Sequence, residues 1–239
     1  MILLLLIGLL AGVVSGLMGV GGGIVMTPAL HYIGGYDWPT SVALSLGVIA
    51  VQAPVGIWKH HQRKAVDWKL GGLLALGGLI GVLMGHQLEP RLPVAALKLA
   101  FAGVMLYGAW KLVKPVRPRD GALDPVMTMG LGVVAGILSR LLGIGGGILT
   151  VPALALMGIA PAIAVASSLV PVATNAWFAT VWNIGRDIPY LEAWPLLTAI
   201  IGAPIGVRLA HALPAKQLRN VVAVALCVVA CLVAWSVVA

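Results

Sequence analysis

The chain has 239 residues, of which 61% are hydrophobic and 9% are charged. Soluble domains carry about 25% charged residues, so these values exclude a water-soluble globular protein and predict an all-α polytopic membrane protein. The formal net charge of +8 lies mostly in loops, where it reports orientation in the membrane, and no soluble basic domain is present to bind nucleic acid.

The first half of the chain, residues 1–113, contains five apolar segments. They lie near residues 2–18, 24–33, 40–58, 70–87 and 94–113. The second segment would cover only about 15 Å of a hydrocarbon core roughly 30 Å thick. We therefore predict about four full transmembrane helices and one half-helix that follows a glycine-rich break. No basic residue precedes the first segment, which favours a retained helix over a cleaved signal peptide.

The second half, residues 125–239, has the same order of apolar segments. They lie near residues 126–142, 148–158, 162–184, 191–209 and 219–238, and again the second is too short to span a bilayer. A polar linker, residues 114–124, separates the halves. We expect this linker on the cytoplasmic side because it is rich in Lys and Arg.

The two halves also share sequence. The segment that starts at Gly8 aligns without gaps with the segment that starts at Gly132, and 13 of 23 positions are identical: GLLAGVVSGLMGVGGGIVMTPAL and GVVAGILSRLLGIGGGILTVPAL. Farther along, SVALSLGVIAVQA aligns with AVASSLVPVATNA, which places Ser45 opposite Ser168. The sequence therefore predicts two homologous repeats of about 120 residues, an architecture typical of transporters.

Basic loops predict how the repeats are oriented. Most Lys and Arg residues lie in KHHQRKAVDWK and KLVKPVRPRD, which we expect in the cytoplasm, with GGYDWPT and HQLEPRLP outside. Lys216 and Arg219 favour a further cytoplasmic loop near residues 211–219. That placement needs an odd number of crossings in each repeat and so favours inverted repeats, whereas parallel repeats would misplace only these two basic residues.

A glycine cluster precedes each half-helix. A nucleotide site is excluded because a P-loop needs a lysine and a serine or threonine directly after its last glycine, and isoleucine stands there in both clusters. A helix break would expose N–H groups at the positive end of the half-helix, and two such ends near the midplane would attract an anion. Helix packing also uses glycine but needs no break. The predicted substrate-binding glycines are Gly19, Gly21, Gly22, Gly23, Gly143, Gly145, Gly146 and Gly147.

Five polar residues of the apolar segments are further candidates for the anion site. Arg140 replaces a glycine of the first repeat, and an arginine this deep faces a cavity or a partner unless it reaches the far interface. Ser15 and Ser139 match each other and could donate to an oxyanion or bond back to their own helix. Gln52 and Asn175, which are aligned, could bind the anion or link helices.

The acidic residues fall outside the predicted spans, which argues against a cation pump or proton relay. All seven lie in loops or at segment ends: Asp37, Asp67, Glu89, Asp120, Asp124, Asp187 and Glu192. No constellation that an enzyme would need is visible, and Cys227 and Cys231 alone define no metal site. We therefore predict no catalytic residue, no metal and no cofactor.

With these motifs the sequence resembles the TauE/SafE sulfite exporter family, also called the toluene sulfonate uptake permease family. The resemblance covers nearly the whole chain and rests on GVGGGIVMTPAL, on GIGGGILTVPAL and on the ASSLVPV that follows the second copy. It implies a multi-pass permease of the cell inner membrane for small sulfur oxyanions such as sulfite, sulfonates or sulfoacetate. The first repeat has Leu44 where the second has Ser167, so the two half-sites need not contribute equally.

We therefore expect a transporter that moves a small anion by alternating access around a midplane site. One alternative is a membrane-embedded enzyme that alters a sulfur compound, and another is a membrane partner subunit without its own solute path. Besides the anion and the lipid bilayer, a second copy of the chain could bind as a homodimer through the small-residue stripe of Gly77, Gly81 and Gly85.

Overall fold

A computed structural model describes residues 2–113, 124–191, 194–212 and 215–238. The described residues are almost entirely helical. The α-helices are α1 (Ile2–Met18), α2 (Gly23–Tyr32), α3 (Trp38–Gln62), α4 (Trp68–Leu88), α5 (Val94–Val113), α6 (Pro125–Leu142), α7 (Gly147–Leu156), α8 (Pro161–Trp182), α9 (Ala199–Ala212) and α10 (Ala215–Val238), and two 3-10 turns span Glu89–Arg91 and Trp194–Thr198. Apart from Asp124, the predicted linker lies outside the described residues.

Within the described residues, five helices are long and apolar enough to cross a membrane, namely α3, α4, α5, α6 and α8. α1, α9 with the 3-10 turn before it, and the C-terminal part of α10 are shorter apolar helices. α2 and α7 have ten residues each, so neither can span a bilayer alone. The prediction of an all-α, multi-pass membrane protein is thus confirmed, with half-helices where the hydropathy predicted them. The prediction of about four full transmembrane helices in each half is met only in part, because α1, α9 and the apolar part of α10 are shorter than a full span among the described residues.

Aspartates begin several of these helices. The Asp67 carboxylate accepts the N–H of Leu70 at 3.0 Å, and the Asp124 carboxylate accepts the N–H of Val126 at 2.9 Å. Asp37 caps α3 in the same way. An N-cap of this kind stabilises a helix by about 1 kcal/mol, so these three carboxylates serve as caps at the ends of the spans.

α2 folds back along α1. A β-carbon at Gly22 would lie 2.7 Å from the carbonyl oxygen of Ala11. Farther along α2, Met26 and Leu30 share a buried cluster with Ile7 of α1. Residue numbers fall along α1 as they rise along α2, so the pair is an antiparallel hairpin whose tip is the first glycine cluster.

α7 folds back along α6 in the same way. A β-carbon at Gly146 would lie 2.7 Å from the carbonyl oxygen of Ala135. Nearer the other end of the pair, Leu131 of α6 packs against the cluster that contains Leu154 of α7. The second glycine cluster is therefore the tip of a second hairpin.

Small residues bring α4 and α6 together in parallel. β-carbons at Gly77 and Gly81 of α4 would overlap the carbonyl oxygens of Met129 and Val133 of α6. Gly85 continues this contact one turn farther along both helices. The prediction that the stripe Gly77, Gly81 and Gly85 forms a homodimer face is wrong, because α6 of the same chain occupies it.

α1 and α9 form a second parallel pair. β-carbons at Gly12 and Gly16 of α1 would overlap the carbonyl oxygens of Ala199 and Ala203 of α9. Close approach of two backbones through small residues is the usual way in which membrane helices associate tightly. Each of these pairs therefore joins a helix of the first half to a helix of the second half.

The α4–α6 packing predicts a difference between two glycines of α6. A β-carbon at Gly136 would overlap the carbonyl oxygen of Gly78, whereas nothing lies within 4 Å of one at Gly130. We expect Gly136→Ala to destabilise the protein by about 1–3 kcal/mol through overpacking. Gly130→Ala should leave stability unchanged or raise it slightly, because alanine favours the helix. Thermal unfolding in detergent measures both, and equal midpoints would contradict the packing.

Candidate functional site

The two glycine clusters contact each other in the interior. A β-carbon at Gly23 would overlap the carbonyl oxygen of Gly143, and one at Gly147 would overlap the carbonyl oxygen of Gly19. All four residues are buried. Backbone of one half therefore meets backbone of the other with no side chain between them, an approach that only glycine allows.

Left-handed backbone makes the sharp turn at each hairpin tip. The φ angles are +68° at Gly19, +88° at Gly21, +74° at Gly22, +70° at Gly143, +71° at Gly145 and +81° at Gly146. Residues with a β-carbon rarely adopt such angles, so the turn itself requires glycine at these positions.

The predicted site serines lie where each turn begins. The carbonyl oxygen of Ser15 accepts the N–H of Gly19 at 2.8 Å, and that of Ser139 accepts the N–H of Gly143 at 2.9 Å. Both serines are buried, and the hydroxyl of Ser139 has no partner among the described residues. The structure thus places both serines next to the point where the two clusters meet. We call this contact of Gly19 with Gly147 and of Gly23 with Gly143 the glycine crossing.

Serines from the opposite half bind the cluster carbonyls. The Ser168 hydroxyl shares its hydrogen between the carbonyl oxygen of Gly19 at 3.1 Å and that of Val165 in its own helix at 2.9 Å. The Ser45 hydroxyl does the same with the carbonyl oxygens of Gly143 at 3.0 Å and Val42 at 2.9 Å. Sequence reasoning aligned these two serines but did not include them in the site. Their shared position after each half-helix was the signal that could have identified them.

Gln52 and Asn175 differ in their contacts. Nε2 of Gln52 donates to the carbonyl oxygen of Gly21 at 2.8 Å, so the glutamine belongs to the first hairpin tip. Asn175 packs against Gly78 of α4, and both polar atoms of its amide are buried without a partner among the described residues. The structure therefore brings Gln52, but not Asn175, into hydrogen-bond contact with a glycine cluster.

Each hairpin tip leads into the N-terminal end of a half-helix. After the first turn, the N–H groups of Val25 and Met26 donate to the carbonyl oxygen of Gly22. After the second turn, those of Leu149 and Thr150 donate to the carbonyl oxygen of Gly146. The first N–H groups of a helix have no acceptor within it, and a helix start carries about half a positive charge.

Side-chain donors bind the carbonyl oxygens of Gly19, Gly21 and Gly143, whereas Oε1 of Gln52 is a buried acceptor without a partner among the described residues. The two helix starts are therefore the feature of the crossing that favours an anion.

The side chain of Arg140 forms a separate polar contact. Its guanidinium donates to Oε2 of Glu89 at 2.6 Å, to Oδ1 of Asn183 at 3.0 Å and to Nδ1 of His86 at 3.2 Å. In the described part of the chain no hydrogen bond joins it to either glycine cluster. The sequence left open whether this arginine faces a cavity, faces a partner or reaches the far interface. The structure gives it a partner, a carboxylate just beyond the end of α4.

Interrupted helices that meet inside a multi-pass helical fold are typical of membrane transporters. The model of the family described as sulfite exporter TauE/SafE matches residues 4–236. The chain belongs to this family.

Similar proteins in other organisms carry transporter names. A probable membrane transporter protein of Methanocaldococcus jannaschii is 26% identical over 91% of this chain and 89% of its own length. Another, from Xylella fastidiosa, is 28% identical over 95% and 92%. The probable membrane transporter protein YunE of Bacillus subtilis is 26% identical over 96% of each chain. The family is thus one of membrane transporters.

The serine contacts yield a prediction about the crossing. Ser45→Ala and Ser168→Ala each leave a buried carbonyl oxygen without its donor, which costs about 1–3 kcal/mol. We expect each variant to lower the thermal midpoint in detergent. Ser41→Ala is the control, because its hydroxyl bonds only to backbone near the start of its own helix. Midpoints for the two site variants no lower than that of the control would contradict the role of these serines.

Proposed function

We propose that this protein transports small sulfur oxyanions, sulfite or sulfonates, across the cell inner membrane by alternating access around the crossing of the glycine clusters. The observation that carries the proposal is that two half-helix starts meet at the crossing, where Ser45, Ser168 and Gln52 bind the carbonyl oxygens of Gly143, Gly19 and Gly21. Half-helix starts near the midplane bind the anionic groups of substrates in other transporters. The description of the family as sulfite exporters supports the sulfur oxyanion.

The side chains around the crossing would orient the anion. Gln52 and Asn175 occupy aligned positions, and Asn175 and Ser139 have buried polar atoms with no partner among the described residues. Buried polar groups are almost always hydrogen-bonded in native proteins. Ser139, at the start of the turn into the second cluster, is therefore suited to a polar ligand that arrives and leaves. Asn175 lies on α8 about one turn beyond Val172, which packs against Gly21 and Gly145.

Two homologous repeats are part of the proposal. The close approach of Gly22 to Ala11 matches that of Gly146 to Ala135, with 2.7 Å in both places. These residue pairs are offset by the same 124 positions that align the two sequences. Sequence and contacts thus agree on the same correspondence, which supports a duplicated unit.

A count of membrane crossings supports inversion of the repeats. The α1–α2 hairpin returns to the side on which it began, and α3, α4 and α5 then cross three times. α6 consequently begins on the side opposite the start of α1. The parallel packing of α4 with α6 and of α1 with α9 supports this count, because it requires the two halves to run in opposite directions.

The same count of membrane crossings puts the basic segments on one side of the membrane. The turn after α3, the end of α5, the start of α6 and the start of α10 fall together. The turn after α3 and the start of α10 carry Arg63, Lys64, Lys216 and Arg219. Basic loops are retained in the cytoplasm. We therefore assign this side to the cytoplasm and the turns after α4 and α8 to the outside.

Arg63 and Arg186 provide a test of inversion, because they occupy equivalent exposed turns after α3 and α8. In a chain that lacks Cys227 and Cys231, we expect Arg186→Cys to react with a membrane-impermeant maleimide in intact cells. Arg63→Cys should react only after permeabilisation. Labelling of both from one side would indicate parallel repeats and contradict the inversion.

Transport itself is tested by flux of labelled sulfite and methanesulfonate into proteoliposomes. Gln52→Glu keeps the size of the side chain but adds a negative charge beside the crossing, so we expect flux to fall at least about tenfold, the effect of roughly 1.4 kcal/mol. Gln62→Glu is the matched control, since it makes the same change at the exposed end of the same helix.

Absence of flux by the wild-type protein for every sulfur oxyanion tested would contradict the proposal. Mass analysis of the solute inside the vesicles separates transport from catalysis, because a transporter delivers its solute chemically unchanged. An altered product would instead support a membrane-embedded enzyme.

A further inference from the structure

A cluster of polar side chains surrounds Arg140 at the ends of α4 and α8. Glu89 accepts from the Arg140 guanidinium, which is only 2% exposed and also donates to Asn183 and His86. Arg186 approaches the same carboxylate oxygen of Glu89 at 3.9 Å. The cluster is thus built by α4, the 3-10 turn after it, α6 and the turn after α8.

The turn after α8 adds Tyr190. Backbone bonds from Ile188 to Arg186 and from Tyr190 to Ile188 hold this turn tightly. The Tyr190 ring packs on Gly47 of α3, where a β-carbon would lie 2.8 Å from the ring. Burial raises the pKa of Tyr190, so its phenol stays protonated and retains a hydrogen to donate.

Three buried donors in this cluster have no acceptor among the described residues. They are Nε of Arg140, Nδ2 of Asn183 and Oη of Tyr190. The Asn183 amide also lies close enough to the Tyr190 phenol to lower its pKa, against the larger effect of burial, so these two groups face the same point. The orientation of the Asn183 amide is fixed, because arginine only donates and Oδ1 must face it. Buried donors are normally satisfied, so this arrangement is suited to a ligand rich in acceptors.

The charges of the cluster also favour an anion. Arg140 and Arg186 contribute two positive charges and Glu89 one negative charge, which leaves a net charge of +1. His86 adds none in this arrangement, since its Nδ1 accepts from Arg140 and carries no proton. Glu89 is the one carboxylate that contacts Arg140 in the described ranges.

We propose that this cluster is a second anion site, at the outer end of the substrate path and distinct from the glycine crossing. Glu89 holds Arg140 until an oxyanion of the sulfite or sulfonate type displaces its carboxylate. The ligand then accepts from Arg140, and Asn183 and Tyr190 donate to its remaining oxygens. The choice of ligand class and of the outer side rests on the proposed function.

The geometry favours an oxyanion with several oxygen atoms. A guanidinium binds two oxygens of one ligand with parallel hydrogen bonds, as it does a carboxylate. The unpartnered donors of Asn183 and Tyr190 belong to different segments from Arg140 and could engage further oxygens. A halide is a single spherical atom and cannot match the two parallel hydrogen bonds of a guanidinium with two spaced oxygens, so a preference for sulfite over chloride is expected.

Binding of labelled sulfite to the full-length protein in detergent tests the site. Glu89→Gln removes the competing charge and keeps the side-chain shape, so we expect the Kd to fall about fivefold or more. Tyr190→Phe removes one neutral donor and should raise the Kd about fivefold. Asn183→Asp replaces a donor with a like charge and should raise it at least about tenfold.

Two comparisons separate binding from a purely structural role. Arg91→Gln removes an exposed arginine two positions from Glu89 and should leave the Kd unchanged. Without anion, Tyr190→Phe should unfold at the wild-type temperature or above, because it removes a buried unpartnered hydroxyl. The same variant should show a smaller rise of that temperature on addition of sulfite.

The outcomes distinguish this site from the proposed function. A Kd within twofold of wild type for both Tyr190→Phe and Asn183→Asp would overturn the second site, even where Gln52→Glu abolishes flux. Sulfite binding that depends on these residues, without flux in proteoliposomes, would keep the site and overturn transport. No detectable binding of sulfite or methanesulfonate to the wild-type protein would overturn the site as well.

Discussion

The structure depends on how a broken helix is satisfied inside a membrane. Backbone N–H and C=O groups in hydrocarbon need partners, so irregular backbone survives there only when protein surrounds it or it lines a cavity. Each hairpin tip is surrounded by the other half of the chain. Ser168 of the second half binds the carbonyl of Gly19, and Ser45 of the first half binds the carbonyl of Gly143. Gln52 binds the carbonyl of Gly21 from within the first half, but the carbonyls of Gly19 and Gly143 take their side-chain donors from the opposite half, so the two halves need each other.

The same contacts set the sign of the charge that the crossing favours. Transporters that bind cations inside the membrane use unwound carbonyls and helix C-terminal ends, whereas N-terminal ends face anionic groups. Here the exposed carbonyls have side-chain donors, and α2 and α7 contribute their N-terminal ends. The three aspartates at helix starts act as caps, and Glu89 is paired with Arg140. Every acidic group with a described contact is therefore held at the end of a span, away from the glycine crossing.

Much of this fold could be predicted from the sequence, and the limits have physical reasons. Segment lengths gave the order of the helices and the two half-helices, because hydropathy reports how much chain lies in hydrocarbon. Hydropathy says nothing about which faces meet. A stripe such as Gly77 and Gly81 looks the same whether it packs within a chain or between chains, so the dimer face was misassigned. The partners of Arg140 lie on segments 40 or more residues away, and only the folded arrangement of the helices brings them together.

The packing also constrains how alternating access can work. The two tightest helix pairs, α1 with α9 and α4 with α6, each join the two halves of the chain through glycines whose β-carbons would overlap the opposite backbone. Rocking one repeat as a rigid body against the other would separate both pairs and lose close-packed contacts that lipid cannot replace. Rigid bodies that keep these helix pairs intact must each contain helices of both halves. The α1–α2 hairpin would move together with α9, and the α6–α7 hairpin together with α4. The glycine crossing lies between these bodies, so under the proposed function the contact that holds the halves together is also the one that opens for the anion.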